Sequence, residues 1–98
     1  MIVELTTIRI KENHNVAFEA AFEKIEEVLA KAEGYLSHEL QKNIEKSNQY
    51  VAVIHWEKLE DHTVTFVQSS LFQELGTLIG PYFENAPDVQ HYEIIQKK

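Results

Sequence analysis

Four segments of the chain carry the apolar patterns typical of β-strands. Residues 2–10 (IVELTTIRI) are rich in β-branched side chains, which fit a pleated surface better than a helix. Residues 35–41 (YLSHELQ) alternate as a second strand should. Residues 50–56 (YVAVIHW) are apolar on both faces and predict a central strand, and residues 89–95 (VQHYEII) predict the last. In the second strand the pattern places Leu36, His38 and Leu40 on one face and Tyr35, Ser37, Glu39 and Gln41 on the other.

Between the first two strands, apolar side chains recur at helical spacing. The recurring residues are Val16, Phe18, Ala21, Phe22, Ile25, Val28, Leu29 and Ala32. This spacing predicts one amphipathic helix of about five turns. Asn13 or Asn15 can cap its start, and Gly34 is placed where a left-handed residue would end it.

Two shorter helices are predicted between the third and fourth strands. The first begins near Glu60 and Asp61, whose carboxylates complement the positive end of a helix dipole. Ser70 can cap the second, which ends at Gly80-Pro81 because proline lacks a backbone donor. Residues 82–88 then form an aromatic-bearing loop.

The order β-α-β-β-α-β predicts one α+β domain over residues 1–98 with a ferredoxin-like, split βαβ fold. Its four-stranded antiparallel sheet would carry helices on one face only. Since residues 50–56 are apolar on both faces, the uncovered face needs a partner. We therefore expect a homodimer.

Composition narrows the classes of partner. The formal charge is −7 and the cationic residues are scattered, which argues against nucleic acid or an anionic membrane as a partner. The chain has no cysteine, so disulfides and thiolate chemistry are excluded. No apolar run approaches the roughly 20 residues of a membrane helix. The three glycines form neither a phosphate-binding loop nor a dinucleotide-binding motif. A cytoplasmic location is expected by default.

The five histidines are the groups best suited to acid–base chemistry near neutral pH. His14 lies in a polar segment and is expected to be solvated. His38, His55 and His91 fall on predicted strands, where some could share a face with Glu4, Glu39 or Glu93. They form either a proton-handling or metal-binding cluster at the sheet surface, or buried or interfacial pairs with carboxylates in the dimer. No closely spaced histidine pair occurs, so no metal site is predicted.

Several segments resemble the antibiotic biosynthesis monooxygenase family of dimeric α+β barrels. They are GYLSHELQK at 34–42 and YVAVIHWEKLEDHTVTF at 50–66, followed by SSLFQ, IGPYF and VQHYEII. The resemblance spans nearly the whole chain and implies a dimeric barrel with a pocket between each sheet and its helices. Family members include cofactor-free oxygenases, haem-degrading oxygenases, isomerases and proteins without a known substrate, so the fold alone does not fix the function.

The resemblance also implies which residues border the pocket. Trp56, His62 and Phe66 would lie at its edge, and Phe72, Tyr82 and Phe83 are candidate apolar lining. His62 at a helix start is the first candidate base, because the helix dipole favours its neutral form. Each of these residues can also have a purely structural role. His62 can hydrogen-bond to the local backbone, and Trp56 and the other aromatic residues can pack in the core.

The haem-degrading branch requires a ligand histidine on the second long helix and an asparagine on the first strand. Here the corresponding positions hold Gly76 and Thr6 or Thr7, and Phe66 stands where a tryptophan is expected. Haem degradation is therefore disfavoured.

The resulting hypothesis is a cofactor-independent monooxygenase acting on a small aromatic or polycyclic phenol or quinol, with no metal or organic cofactor. His62 or His38 would be the base, and Tyr82 would bond the substrate oxyanion. Trp56, Phe66, Phe72, Phe83 and His91 would bind the substrate. Two alternatives stay open: a non-catalytic dimeric module that binds a small apolar metabolite or has a structural role, and an isomerase or lyase that uses the same pocket without oxygen.

Overall fold

The computed structural model describes all 98 residues and confirms the predicted ferredoxin-like arrangement, an antiparallel sheet with helices on one face. Its strands are β1 (Ile2–Arg9), β2 (Tyr35–Lys42), β3 (Gln49–Trp56) and β4 (Asp88–Glu93), in the spatial order β2-β3-β1-β4. The two central strands, β1 and β3, therefore present the most enclosed side chains to the helices.

Three α-helices cover one face of the sheet: α1 (Asn15–Glu23), α2 (Ile25–Leu29) and α3 (Ser70–Ile79). The predicted single five-turn helix is interrupted at Lys24, whose N–H bonds to the carbonyl of Ala21, three residues back. No side chain caps α1. Instead, the amide of Asn15 donates to the Ser47 carbonyl at 2.6 Å and the Tyr50 hydroxyl at 3.0 Å, which ties the helix start to the sheet.

The segment between β3 and α3 is not the regular short helix that the sequence predicts. Residues Asp61–Phe66 form a π-helical turn, a wider winding that often occurs at functional sites. Ser69 occupies the N-cap position of α3, one residue before the predicted Ser70. A 3₁₀ turn, Gly80–Tyr82, follows α3 and leads toward β4.

A β-bulge at the start of β2 changes the predicted faces of that strand. Tyr35 pairs with Trp56, and Ser37 pairs with His55, so Leu36 is the extra residue on the bulged strand. Tyr35 consequently lies on the helix side of the sheet beside His38. The prediction that these two side chains occupy opposite faces is wrong, because a bulge shifts the alternation by one residue.

Gly34 fixes the position of the π-helical turn. Its φ of 78° is the left-handed conformation that the sequence predicts, although α2 has already ended at Leu29. A Cβ at this position would overlap the carboxylate of Asp61, whose Oδ2 accepts the backbone N–H of Lys58 at 3.1 Å. Only glycine therefore allows the turn to approach the sheet this closely.

The core lies between the helices and the inner face of the sheet. Its fully buried large side chains are Trp56, Tyr50, Phe18, Ile8, Ile10, Ile25 and Leu29. The same inner face of β1 also carries two buried polar residues, Glu4 and Thr6, directly beneath the buried His62. None of the helices is long and apolar enough to cross a membrane.

Candidate active site

A cavity of about 250 Å³ lies between the sheet and the helices. Of the 18 residues that line it, 13 are hydrophobic, and the polar side chains among them are Glu4, Thr6 and His62. The cavity lining reaches the surface at Phe72 on α3 and Val89 on β4, which are each 43% exposed and are taken as its mouth. An apolar chamber with a few converging polar groups is the usual form of a small-molecule site.

The carboxylate of Glu4 is the centre of the polar part of the cavity. Glu4 is only 5% exposed, yet its oxygens accept two side-chain hydrogen bonds and contact one imidazole nitrogen. The indole N–H of Trp56 donates to Oε1 at 3.0 Å, and His62 Nε2 lies 3.2 Å from the same oxygen. The hydroxyl of Thr6 donates to Oε2 at 2.5 Å. These contacts compensate the cost of burying the carboxylate.

Both ring nitrogens of His62 are engaged by protein groups. Nε2 faces Glu4, and Nδ1 lies 2.8 Å from Nε2 of His91 on β4. Because Glu4 is an acceptor, a neutral His62 ring carries its proton on Nε2, and His91 must then donate to Nδ1. The order of donation is therefore His91 to His62 to Glu4.

Burial lowers the pKa of His62 from its usual 6.5; the negative charge of Glu4 opposes this shift and His91 adds to it. The net effect keeps the imidazole neutral near neutral pH. The donation from His91 to His62 to Glu4 requires this neutral state. The sequence predicts a neutral ring because of the helix dipole, whereas the structure shows burial as the cause. Desolvation is the larger cause in the structure.

We expect this lowered pKa to make the protein less stable in mild acid. Below about pH 6.5 the unfolded chain protonates His62 while the folded chain does not, so unfolding takes up a proton and its free energy falls as the pH drops. The effect is absent above that pH, where His62 is neutral in both states. Urea denaturation of wild type and His62→Gln between pH 7 and pH 5 measures it. An equal pH slope in both proteins would contradict this contribution.

Aromatic rings form the wall of the cavity next to Glu4. The Trp56 indole stacks on the His62 ring with centroids 5.2 Å apart and packs against Phe66 at 5.4 Å. Phe72 meets the edge of Phe66 at 5.8 Å, near the mouth of the cavity. Trp56 is thus both a core residue, as its complete burial shows, and a lining residue.

The structure does not bring His38 to this cavity. It lies on the edge strand β2, where its Nδ1 is 2.6 Å from the Tyr35 hydroxyl and its ring packs near Phe22. It borders a separate, more open and acidic groove with Glu19 and Glu26. A histidine there is separated from Glu4 by the width of β3, because the strand order places β3 between β2 and β1.

The other predicted site residues are divided between the cavity and its surroundings. Phe83 lines the cavity together with Trp56, Phe66 and Phe72. Tyr82 does not line it and instead packs against Phe18, with ring centroids 6.4 Å apart. His91 reaches the cavity only through His62.

Sequence reasoning did not select Glu4 and Thr6 as site residues. The available signal was their spacing, since both share one face of β1 with the buried Ile8 and Ile10. A carboxylate on the buried face of a strand is uncommon and needs a partner. The partner Trp56 is 52 residues away in sequence, so strand register was required to identify it. No group of three or more His, Asp or Glu side chains is arranged to hold a metal ion.

Comparison with known proteins points to one family. A family model described as antibiotic biosynthesis monooxygenase matches residues 1–77. The Bacillus subtilis protein YczJ is 34% identical over 95% of this chain and 98% of its own length. A crystal structure of a Bordetella bronchiseptica protein assigned to the antibiotic biosynthesis monooxygenases is 30% identical, covers 97% of each chain and has a TM-score of 0.95. SnoaB of Streptomyces nogalater, a cofactor-independent oxygenase, shares the fold with a TM-score of 0.81 at 17% identity, covering 98% of this chain and 94% of its own.

Proposed function

Because the chain belongs to the antibiotic biosynthesis monooxygenase family, we propose that it is a cofactor-independent monooxygenase that oxidises a small phenol or quinol. The observation that carries this proposal is the apolar cavity with one buried Glu4–His62 pair on its wall. Cofactor-independent oxygenation is the activity named for the fold relative SnoaB. The remaining support comes from the chemistry of the cavity itself.

The proposed reaction needs a base, an apolar chamber and dioxygen. Removal of the hydroxyl proton by the Glu4–His62 pair makes the substrate ring electron-rich enough to reduce dioxygen. One oxygen atom bonds to a ring carbon, the other leaves as water with the hydroxyl proton and the proton lost from that carbon, and the product is a quinone. The apolar wall of Trp56, Phe66 and Phe72 excludes water, so it weakens solvation of the developing anion.

The size of the cavity limits the substrate to about one aromatic ring. A cavity of about 150 Å³ can hold benzene, so the observed 250 Å³ accommodates a single ring with small substituents. A polycyclic substrate would require the mouth between Phe72 and Val89 to widen. We therefore place catechols and hydroquinones ahead of larger ring systems.

Oxygen consumption tests this function. Wild-type protein mixed with catechol or hydroquinone should consume oxygen and substrate in equimolar amounts and form the hydroxyquinone and water, whereas simple oxidation to the unsubstituted quinone with equimolar oxygen would release hydrogen peroxide. The rate should be unaffected by prior dialysis against a chelator, because the proposed chemistry is carried by the substrate and the side chains. Failure of every one-ring phenol to raise oxygen consumption above the protein-free rate would contradict the proposal.

An anaerobic assay separates oxygenation from isomerisation. If the same substrates are converted at an equal rate without oxygen, the site acts as an isomerase or lyase and the monooxygenase proposal is wrong. Conversion that stops without oxygen and resumes on its return supports the proposal.

We also propose that the uncovered face of the sheet forms a homodimer. No helix covers the outward side chains of the central strands, which include Val3, Leu5, Val51 and Val53 and are only partly buried. Leu5 and Val53 are paired across β1 and β3, so they form one continuous apolar surface with their neighbours. A second copy would bury this surface by packing sheet against sheet, as the family resemblance implies.

We expect Val53→Glu to convert the dimer to a monomer, because the change places a carboxylate at the middle of the apolar face. Light scattering at micromolar protein measures the mass. The matched control is Val16→Glu, since Val16 is 85% exposed on α1 and its change adds the same charge. A wild-type mass that stays monomeric at all concentrations would contradict the dimer.

A further inference from the structure

We infer that Glu4 is the group that contacts the substrate hydroxyl and takes its proton, and that the substrate is an uncharged one-ring phenol. The proton-transfer part of this inference rests on the proposed function. The binding part rests on the cavity alone. Both parts are supported by the same observation. The buried carboxylate of Glu4 lies on the cavity wall, and the protein does not fill all of its hydrogen-bond acceptor positions.

The acceptor capacity of Glu4 is not filled by the protein. An ionised carboxylate offers about four acceptor positions on its two oxygens. Trp56 and His62 occupy two positions on Oε1, and Thr6 occupies one on Oε2. The fourth acceptor position is on Oε2 of Glu4, and Glu4 lines the cavity. It suits a single hydroxyl donor on a bound ring.

His62 acts through Glu4 and is a positioning residue. Its two nitrogens are already bonded to Glu4 and His91, so neither offers a lone pair to a ligand without breaking a protein contact. The donor chain from His91 holds the His62 proton against Oε1 of Glu4. That contact fixes the orientation of the carboxylate group, and with it the direction of the unfilled acceptor position on Oε2.

The proton-transfer step is balanced within the site. The substrate O–H bond breaks, the proton bonds to Oε2 of Glu4, and the electron pair stays on the substrate oxygen. When dioxygen has reacted, the carboxyl group returns this proton to the oxygen atom that leaves as water. The second proton of that water comes from the ring carbon that gains oxygen, so no further proton donor or electron acceptor is needed.

The charges around Glu4 restrict the substrate to a neutral molecule. No lysine or arginine lines the cavity, and the lining residues from α1, α2 and α3 are uncharged. The titratable groups that face Glu4 are His62 from the π-helical turn and, behind it, His91 from β4. A carboxylated or phosphorylated ring would therefore bring a second negative charge beside Glu4 with no cation to balance it.

The test uses 4-nitrophenol, whose absorbance distinguishes the phenol from the phenolate. We expect wild type to bind the phenol at least about tenfold more tightly than the phenolate, because the phenolate is repelled by Glu4. In Glu4→Gln the new amide can donate a hydrogen bond, so the preference should be lost or reversed. Titration at several pH values, with the wild-type and variant proteins compared at each one, measures the ratio. Equal affinity for both forms in wild type, or an unchanged preference in Glu4→Gln, would overturn the inference.

Two further variants control for charge and folding. Glu27→Gln removes the same charge from an exposed position on α2 and should leave the preference as in wild type. If Glu4→Gln does not fold, Thr6→Val tests the same claim. Without the Thr6 donor the negative charge on Oε2 is less compensated, so the preference for the neutral phenol should be larger than in wild type. An unchanged or smaller preference in a folded Thr6→Val protein would overturn the inference.

The oxygen assay separates this inference from the proposed function. If wild type binds the neutral phenol through Glu4 and consumes no oxygen, the monooxygenase proposal fails and the hydroxyl contact stands. If wild type consumes oxygen and Glu4→Gln does so at an equal rate, the assignment of Glu4 is overturned while the function stands. The expected result is a fall in kcat/KM of about 10²- to 10⁴-fold in Glu4→Gln, the usual effect of losing a general base.

Discussion

His62→Ala should lower kcat/KM for a one-ring phenol by about 100-fold, because the change disturbs the Glu4 carboxylate that acts as the base, and general acid–base catalysis contributes about 10²- to 10⁴-fold. The change removes the donor that holds Oε1 of Glu4 and leaves a gap beside the Trp56 indole. Both effects disturb the carboxylate that faces the substrate. Initial rates of oxygen consumption, measured at several substrate concentrations, give kcat/KM directly.

His38→Ala is the informative comparison, because the sequence presents both histidines as candidate bases. His38 lies in the groove at the β2 edge, so its removal should leave kcat/KM unchanged. His14→Ala, an exposed position beside α1, controls for the loss of an imidazole. A large fall in His38→Ala together with normal activity in His62→Ala would show that the chemistry occurs in the groove instead.

Trp56→Ala should destabilise the fold by about 3–5 kcal/mol, the usual cost of removing a buried tryptophan. Trp56 is fully buried at the end of β3 and packs against Tyr35, His62 and Phe66. Small domains are stable by only about 5–15 kcal/mol, so this change should unfold a measurable fraction of the protein. Urea denaturation followed by circular dichroism measures the free energy of unfolding.

Trp56→Phe separates the packing of the indole from its hydrogen bond. Phenylalanine retains much of the ring surface but has no N–H for Oε1 of Glu4. The loss of one hydrogen bond to a charged group costs about 1.5–3 kcal/mol, so this variant should fall between wild type and Trp56→Ala. If Trp56→Ala is as stable as wild type, the indole does not contribute to the core in the way described.

The fold could be predicted from the sequence because each strand is marked by a local pattern of apolar residues. β3 reads as apolar on both faces, and the structure places it at the centre of the sheet. The face of Tyr35 could not be predicted, since the bulge at Leu36 adds a residue without any Gly or Pro to mark it. The break at Lys24 was equally unmarked, because the apolar spacing continues through it.

The candidate site was only partly predictable for a different reason. Trp56 and His62 could be selected because their sequence resembles a family whose pocket lies at this position. Glu4 could not, since its role depends on being paired in register beside Ile54 and His91 on two other strands. The sequence shows that a glutamate interrupts an apolar strand, whereas only the tertiary structure shows which donors reach it.

A crystal structure of the protein with hydroquinone bound in the absence of oxygen tests whether the substrate hydroxyl contacts Glu4. We predict that the ring lies in the cavity between the sheet and α3, with one hydroxyl within hydrogen-bonding distance of Glu4 and the aromatic face against the Trp56–Phe66 wall. A ring bound in the groove beside His38, with the Glu4 cavity empty, would contradict it.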